Sequence, residues 1–200
     1  MTEAILALVH APVADNAEAA IGLALVRGAA PAEPVRAALG EVAGRPTGRA
    51  RLFGTAAANL YLEWAAVIAA VAALDGDADA VVAGAAVACA VADGLGPSHA
   101  AAGWCVETTA GAVGAAAASA RVLGLRRLPL RHAIGIAATQ ASGLSAVQDT
   151  ALGAAQVGHA AATGVEAALL ARNGFTAAED PLAGRRGLFA VMRPVVETGQ

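Results

Sequence analysis

Between Gly103 and Gly174 the chain is written almost entirely in small residues, and that stretch restricts its fold more than any other. It opens with Gly103-Trp-Cys-Val-Glu-Thr-Thr-Ala-Gly111 and passes through Ala137-Ala-Thr-Gln-Ala-Ser-Gly-Leu144. It closes with Gly158-His-Ala-Ala-Ala-Thr-Gly164 and Leu169-Leu-Ala-Arg-Asn-Gly-Phe-Thr176. Three small-residue helices separated by polar turns fit this text. Strands announce themselves by alternation at period two, and such alternation is nearly absent, so the fold class is all-α. Helices built from alanine and glycine approach nearly backbone to backbone, and the expectation is a compact bundle whose turns hold a few polar side chains.

Elsewhere the helix signals are local. Ala14 to Arg27 reads as a helix, with Asp15 as N-cap and Gly28 as stop. Ala32 to Val42 reads as a second, opened by Pro31 and Pro34. Gly44 to Gly48 reads as a loop and Arg49 to Phe53 as a strand or extended link. Thr55 is placed as the cap of a long helix to Leu74, with Leu60, Trp64, Val67, Ile68 and Val71 at helical spacing. Asp75 to Asp79 alternates aspartates like a calcium loop but lacks the closing acid, and reads as a helix-capping turn. Helices follow over Ala80 to Val91, Glu107 to Leu123, Pro129 to Ala141 and Leu152 to Arg172. A tail over 178–200 holds one short helix at best.

Composition excludes several classes of function. The chain of 200 residues suits a single helical domain over 1–200. Aromatic residues are 3% and net charge is -3 without a basic cluster, which argues against nucleic acid. All thirteen basic residues are arginine, so neither a lysine Schiff base nor a P-loop lysine is available. The richest apolar run, Ala80 to Ala92, is shorter than the roughly 20 residues a membrane span needs, and no secretory segment opens the chain. Two cysteines, Cys89 and Cys105, read as free thiols in a reducing cytoplasm. Hydrophobic residues are 58% and charged ones 14%, which leaves alanine and glycine on helix faces and leads to the expectation of a homodimer. The arginine-only, alanine-rich usage is that of a high-GC bacterial genome.

The block Gly103 to Leu125, with its Gly-Trp-Cys-Val-Glu-Thr-Thr opening and its alanine-rich helix ending Val-Leu-Gly-Leu, resembles the MmgE/PrpD family. That family includes 2-methylcitrate dehydratase and cis-aconitate decarboxylase. His132-Ala-Ile-Gly-Ile-Ala-Ala-Thr-Gln-Ala-Ser-Gly-Leu144, Gly158 to Thr176 and Pro181-Leu-Ala-Gly-Arg-Arg-Gly187 are similar to its next blocks. Ala20 to Arg27 and Phe53-Gly-Thr-Ala-Ala57 fit its early helices more weakly. The resemblance implies the family's helical domain without its α+β lid. It also marks departures. The family histidine of the Gly-Trp-His block is Cys105 here, its lysine falls at Gly153, and a further histidine becomes Gln156. Another histidine-bearing loop is deleted between Leu62 and Ala70. Of an acidic run, Glu63 alone is kept, beside Tyr61 and Trp64.

Dehydration beside a carbonyl needs a base, an acid and a group to steady enolate-like charge. Glu63, His99 and Tyr61 are the candidate catalytic residues. Trp64, Trp104, Cys105, Glu107, Thr108, Gln140 and Gln156 are the candidate substrate contacts. For Glu63 the plainer alternative is an exposed helix acid, for His99 a helix-end cap, and for Cys105 a core filler. Glu107 with Thr108 most simply starts a helix, whose end can also hold an anionic oxygen. Gln140, Gln148, Asp149 and Gln156 fit interhelical hydrogen bonding equally well, and His159 reads as structural. The cysteines and histidines lack ligand spacing, so neither metal nor cofactor is expected. Two functions stand: a lyase or isomerase acting on a small organic molecule, with dehydration or Michael-type cyclisation in natural-product biosynthesis as its specialised form, or a degenerate homologue serving as a non-catalytic partner subunit.

Overall fold

Residues 1–30 and 44–193 are described by the computed structural model, and the regular structure there is helical, apart from one isolated antiparallel bridge between Trp104 and Leu144. In chain order the helices are α1 (Thr2–Leu8), α2 (Ala17–Gly28), α3 (Pro46–Asn59), α4 (Ala65–Ala73) and α5 (Ala78–Leu95). They continue as α6 (Pro97–Ala101), α7 (Val106–Val122), α8 (Arg127–Gln140), α9 (Ala151–Arg172) and α10 (Leu188–Met192), with a 3₁₀ turn at Ser145–Val147 before α9.

Helix α4 is the axis. Its sequence is apolar all round, which suits a helix with no solvent face, and every one of its residues is buried. Helices α2, α3, α5, α7 and α9 pack around it. Helix α7 is the second core element, buried from Thr108 to Ala120. Where these helices cross, glycines replace side chains. A Cβ added to Gly54 of α3 would lie 2.5 Å from the Gly158 Cα of α9. A Cβ on Gly114 of α7 would lie 2.7 Å from the Gly84 carbonyl of α5, and one on Gly164 of α9 would lie 2.6 Å from the Ala115 carbonyl carbon of α7. Helices α3, α5, α7 and α9 are thus fixed pairwise at backbone distance, as the small-residue text implies.

Three sequence expectations change. From residue 46 to 53 the segment is neither loop nor strand: Pro46 takes the first turn of α3, where its fixed φ and missing N–H cost nothing, and the helix runs on through Phe53. Thr55 does not cap a helix. It is buried inside α3, with its hydroxyl donating to the Arg51 carbonyl at 3.1 Å. The long helix to Leu74 is broken between Leu60 and Trp64. The expected helix over Ala32 to Val42 lies outside the described residues. The Asp75–Asp79 turn caps as expected, Asp77 accepting from the Ala80 N–H at 3.0 Å. Residues 178–193 are more than a tail: Leu182 is fully buried, and the Phe189 ring lies against Gly94. Among the described residues, Ala78–Leu95 is long and apolar enough by length and composition to cross a membrane, and half of it is buried inside the bundle.

The crossings make a stability test. Gly54→Ala forces α3 off α9 and is expected to destabilise by about 1–3 kcal/mol through overpacking. Gly111→Ala meets the Ala66 Cβ at 3.4 Å, ordinary contact, and its gain in helix propensity leaves stability equal or higher. Chemical denaturation of the two variants beside the parent checks the contrast.

Candidate functional site

The break between α3 and α4 builds the site. Tyr61 and Trp64 both adopt left-handed backbone conformations, with φ of 54° and 51°. For side-chain-bearing residues such geometry costs of order 1–3 kcal/mol each and persists only where the surroundings impose it. Here they do. The Tyr61 N–H donates to the Ala58 carbonyl at 3.0 Å, and the Trp64 carbonyl accepts from Val67 at 2.8 Å, so the turn is tied to both helices. Between the two strained residues Glu63 is exposed. The Trp64 indole N–H is buried without a partner among the described residues.

This turn forms one wall of a cleft of ≈ 920 Å³. The end of α3 contributes Ala58 and Asn59, the start of α7 contributes Cys105 to Thr108, and the start of α9 contributes Thr150 and Ala151. Three helix N-termini, those of α4, α7 and α9, therefore meet at the cleft. Each carries an acid close by: Glu63 before α4, Glu107 in the first turn of α7, Asp149 before α9. Negative charge is favoured at such ends, where backbone N–H groups lack helical partners.

The carboxyls differ in environment. Glu107 is half-buried, and its carboxyl is pushed above the ordinary glutamate value, first by burial and further by the neighbouring charge of Glu63, while a hydrogen bond from the Ala65 backbone N–H partly opposes the shift. Cys105 is buried at the head of α7, with the Gln148 amide donating to its Sγ at 3.4 Å. The Thr108 hydroxyl turns back to the Cys105 carbonyl at 3.2 Å.

A second loop locks this arrangement. Cys105 N–H donates to the Gly143 carbonyl and Ser145 N–H to the Gly103 carbonyl, both at 3.0 Å. Gly143 has φ of +140°, and a Cβ there would collide with the Thr108 hydroxyl, so glycine is required. The Gln156 amide clamps both backbone groups of Leu144, accepting from its N–H at 2.8 Å and donating to its carbonyl at 3.2 Å.

Of the residues singled out from sequence, Tyr61, Glu63, Trp64, Cys105, Glu107, Thr108 and Gln156 line this cleft. Three do not. His99 is fully buried, with Nδ1 2.9 Å from the Met192 carbonyl and Nε2 3.2 Å from the Thr109 hydroxyl. Its ring stacks on Trp104, centroids 6.0 Å apart, so it acts on the Trp104 loop and on α10. Trp104 itself uses its backbone, pairing with Leu144 and accepting from the Ser145 hydroxyl at 2.9 Å. Gln140 is exposed at the end of α8, beside Thr139. Missing from the expected set are Asn59, Asp149 and Thr150, which line the cleft, and Gln148, whose amide reaches Cys105. The signal for them was weak: one asparagine at a helix end and a three-residue polar run before α9. His159 is exposed on α9 and its pKa is lowered, by desolvation first and then by Arg51, with Glu166 opposing.

A family model described as MmgE/PrpD N-terminal domain matches residues 79–197. No curated protein matches the chain.

The raised Glu107 carboxyl has a consequence for stability. Its folded form holds the proton more tightly than the unfolded chain, so its stabilising contribution is complete below the ordinary value of 4.5 and is lost as pH rises through the folded-state value. Denaturation midpoints measured across that window should fall more steeply for the parent than for Glu107→Gln, and Glu63→Gln should narrow the window from above.

Proposed function

The chain belongs to the MmgE/PrpD family, whose membership points to dehydratase-like lyase chemistry, and from that premise we propose that the cleft moves protons beside a carbonyl of an organic substrate. One observation carries the proposal: two carboxyls, Glu63 and Glu107, share the cleft in unequal surroundings. Paired carboxyls whose environments separate their proton affinities divide acid and base roles between them. Glu63, on its exposed turn, is the base that takes the proton from the carbon next to the carbonyl. Glu107, whose proton is held by burial, is the acid. As the carbon–oxygen bond breaks, its proton leaves with the departing hydroxyl as water. Backbone N–H groups at the heads of α7 and α9 steady the oxygen on which negative charge develops. Tyr61, 94% exposed at the rim, offers a hydroxyl to the substrate's outer end. His99 holds the Trp104 loop and through it the head of α7, which makes it a positioning residue.

The specialised form of this reading is a Michael-type cyclisation. There Glu63 takes the proton of the attacking group and Glu107 protonates the enolate, and the cleft contributes by holding the reacting ends together. A natural-product intermediate suits the cleft volume, which lies near the upper end of drug-sized sites.

A second reading, the non-catalytic partner subunit, has its own support. Ile21 and Leu25 are exposed along an apolar groove between α2 and α5, and that groove meets the cleft at Leu62 to Trp64. The homodimer expected from composition belongs with that groove, and sedimentation velocity measures it.

Incubation in D₂O with a β-hydroxy ketone, a β-hydroxy thioester and a β-hydroxy acid, followed by NMR, tests the catalytic reading. Deuterium uptake at the α-carbon or loss of water is expected for at least one probe, falling about 10²–10⁴-fold in Glu63→Gln and in Glu107→Gln. Neither exchange nor water loss for any probe in the parent protein would sink the reading and leave the partner-subunit one.

A further inference from the structure

We propose that the substrate of this cleft carries no free carboxylate: its reacting carbonyl is a ketone, ester, thioester or amide, on a molecule that is neutral or positively charged. The inference rests on the acid/base reading of the same site and narrows it to a substrate class.

Charge is the first argument. Glu63, Glu107 and Asp149 line the cleft, and no described arginine or histidine does. Arg51 of the adjoining α3 lies beside His159 instead. The three helix N-termini supply about half a positive charge each. Part of that is already used by the chain: Thr150 Oγ1 accepts from the Leu152 N–H at 3.2 Å, and the Ala65 N–H serves Glu107. An incoming anion therefore meets Glu63 and Asp149 beside Glu107 in the same cleft.

Chemistry is the second argument. Removing a proton next to a carboxylate places a second negative charge on the same small group. A site can permit that only by neutralising the carboxylate, and among the described residues no cationic side chain lines the cleft to do so. Next to a ketone or an ester the same proton leaves behind a single enolate charge, which backbone N–H groups can meet. The citrate-like substrates implied by the sequence resemblance are therefore disfavoured in this chain.

Trp64 lines the cleft, which permits a test without a known substrate. In Trp104→Phe, Trp64 is the sole tryptophan of the two in the chain. Its fluorescence is quenched in turn by acrylamide, caesium and iodide, with parent protein and Trp64→Phe as a second pair should Trp104→Phe not fold. Caesium and acrylamide should quench and iodide should lag. Adding Glu63→Gln and Asp149→Asn, both at exposed positions, should lower the caesium-to-iodide ratio about fivefold, the scale expected for two screened charges within one cleft. Iodide quenching equal to caesium, a ratio that does not move on neutralisation, or no quenching by any of the three would each overturn the inference. Charge selection is read here without turnover, and the exchange assay reads turnover whatever the charge, so the two proposals fail separately.

Discussion

Everything in this molecule depends on helices touching at glycine. At Gly54 and Gly158 the backbones of α3 and α9 meet with no side chain between them, and Gly84 with Gly114 does the same for α5 and α7. Alanine and glycine bury little area per residue, so a bundle made of them cannot rely on large side chains for cohesion. It compensates by close approach, which raises the number of dispersion contacts along each crossing. Low side-chain entropy helps as well, since alanine and glycine lose almost no rotamer freedom on burial. The result is a frame with little capacity to adjust. Helices that touch at their backbones cannot slide without collision.

That rigidity explains the strained turn. Leu60 to Trp64 must connect the end of α3 to the start of α4, and α3 is already fixed by its crossing with α9 and α4 by its crossings with α7 and α9. The left-handed conformations of Tyr61 and Trp64 are the geometry that remains. Strain imposed by a frame is stable strain, and here it lifts Glu63 out of the bundle while α7 keeps Glu107 half inside it. Burial thus pushes the Glu107 carboxyl above the ordinary glutamate value, and the Glu63 charge beside it adds to the shift.

The sequence carried the frame and only part of the site. Helix α4 was legible as helix because Val67, Ile68 and Val71 keep helical spacing, and α7 and α9 because glycines at 124 and 174 mark their ends. The break at 60–64 was not legible. Leu60, Trp64, Val67 and Val71 keep helical spacing across it, and nothing local in Tyr-Leu-Glu-Trp signals a left-handed turn, so tertiary constraint overrode the pattern. Tyr61, Glu63 and Trp64 were nevertheless found: the resemblance keeps Glu63 as the one acid of its run, and two aromatics stand out beside it among alanines. His99 stood out by the same contrast, and the structure withdraws it from the cleft because its two ring nitrogens are spent on Met192 and Thr109, one of them ninety-odd positions further along the chain. No spacing rule reveals a partner at that separation.

The departures from the family motif fit together when placed on this frame. Where the resemblance puts a lysine stands Gly153, and a Cβ at that position would collide with the Gln148 carbonyl. The loop before α9 has therefore closed over the space a longer side chain would need. Where it puts a histidine stands Gln156, whose amide is engaged at both ends by Leu144 and so pins the same loop against the Trp104 turn. Cys105, in place of another histidine, receives the Gln148 amide from that loop. All three positions thus serve one local arrangement, in which the loop before α9 is held against the Trp104 turn and the head of α7. The carboxyls at Glu63 and Glu107 stand on the two other walls of the cleft, the 60–64 turn and the head of α7, and Asp149 stands in the loop itself.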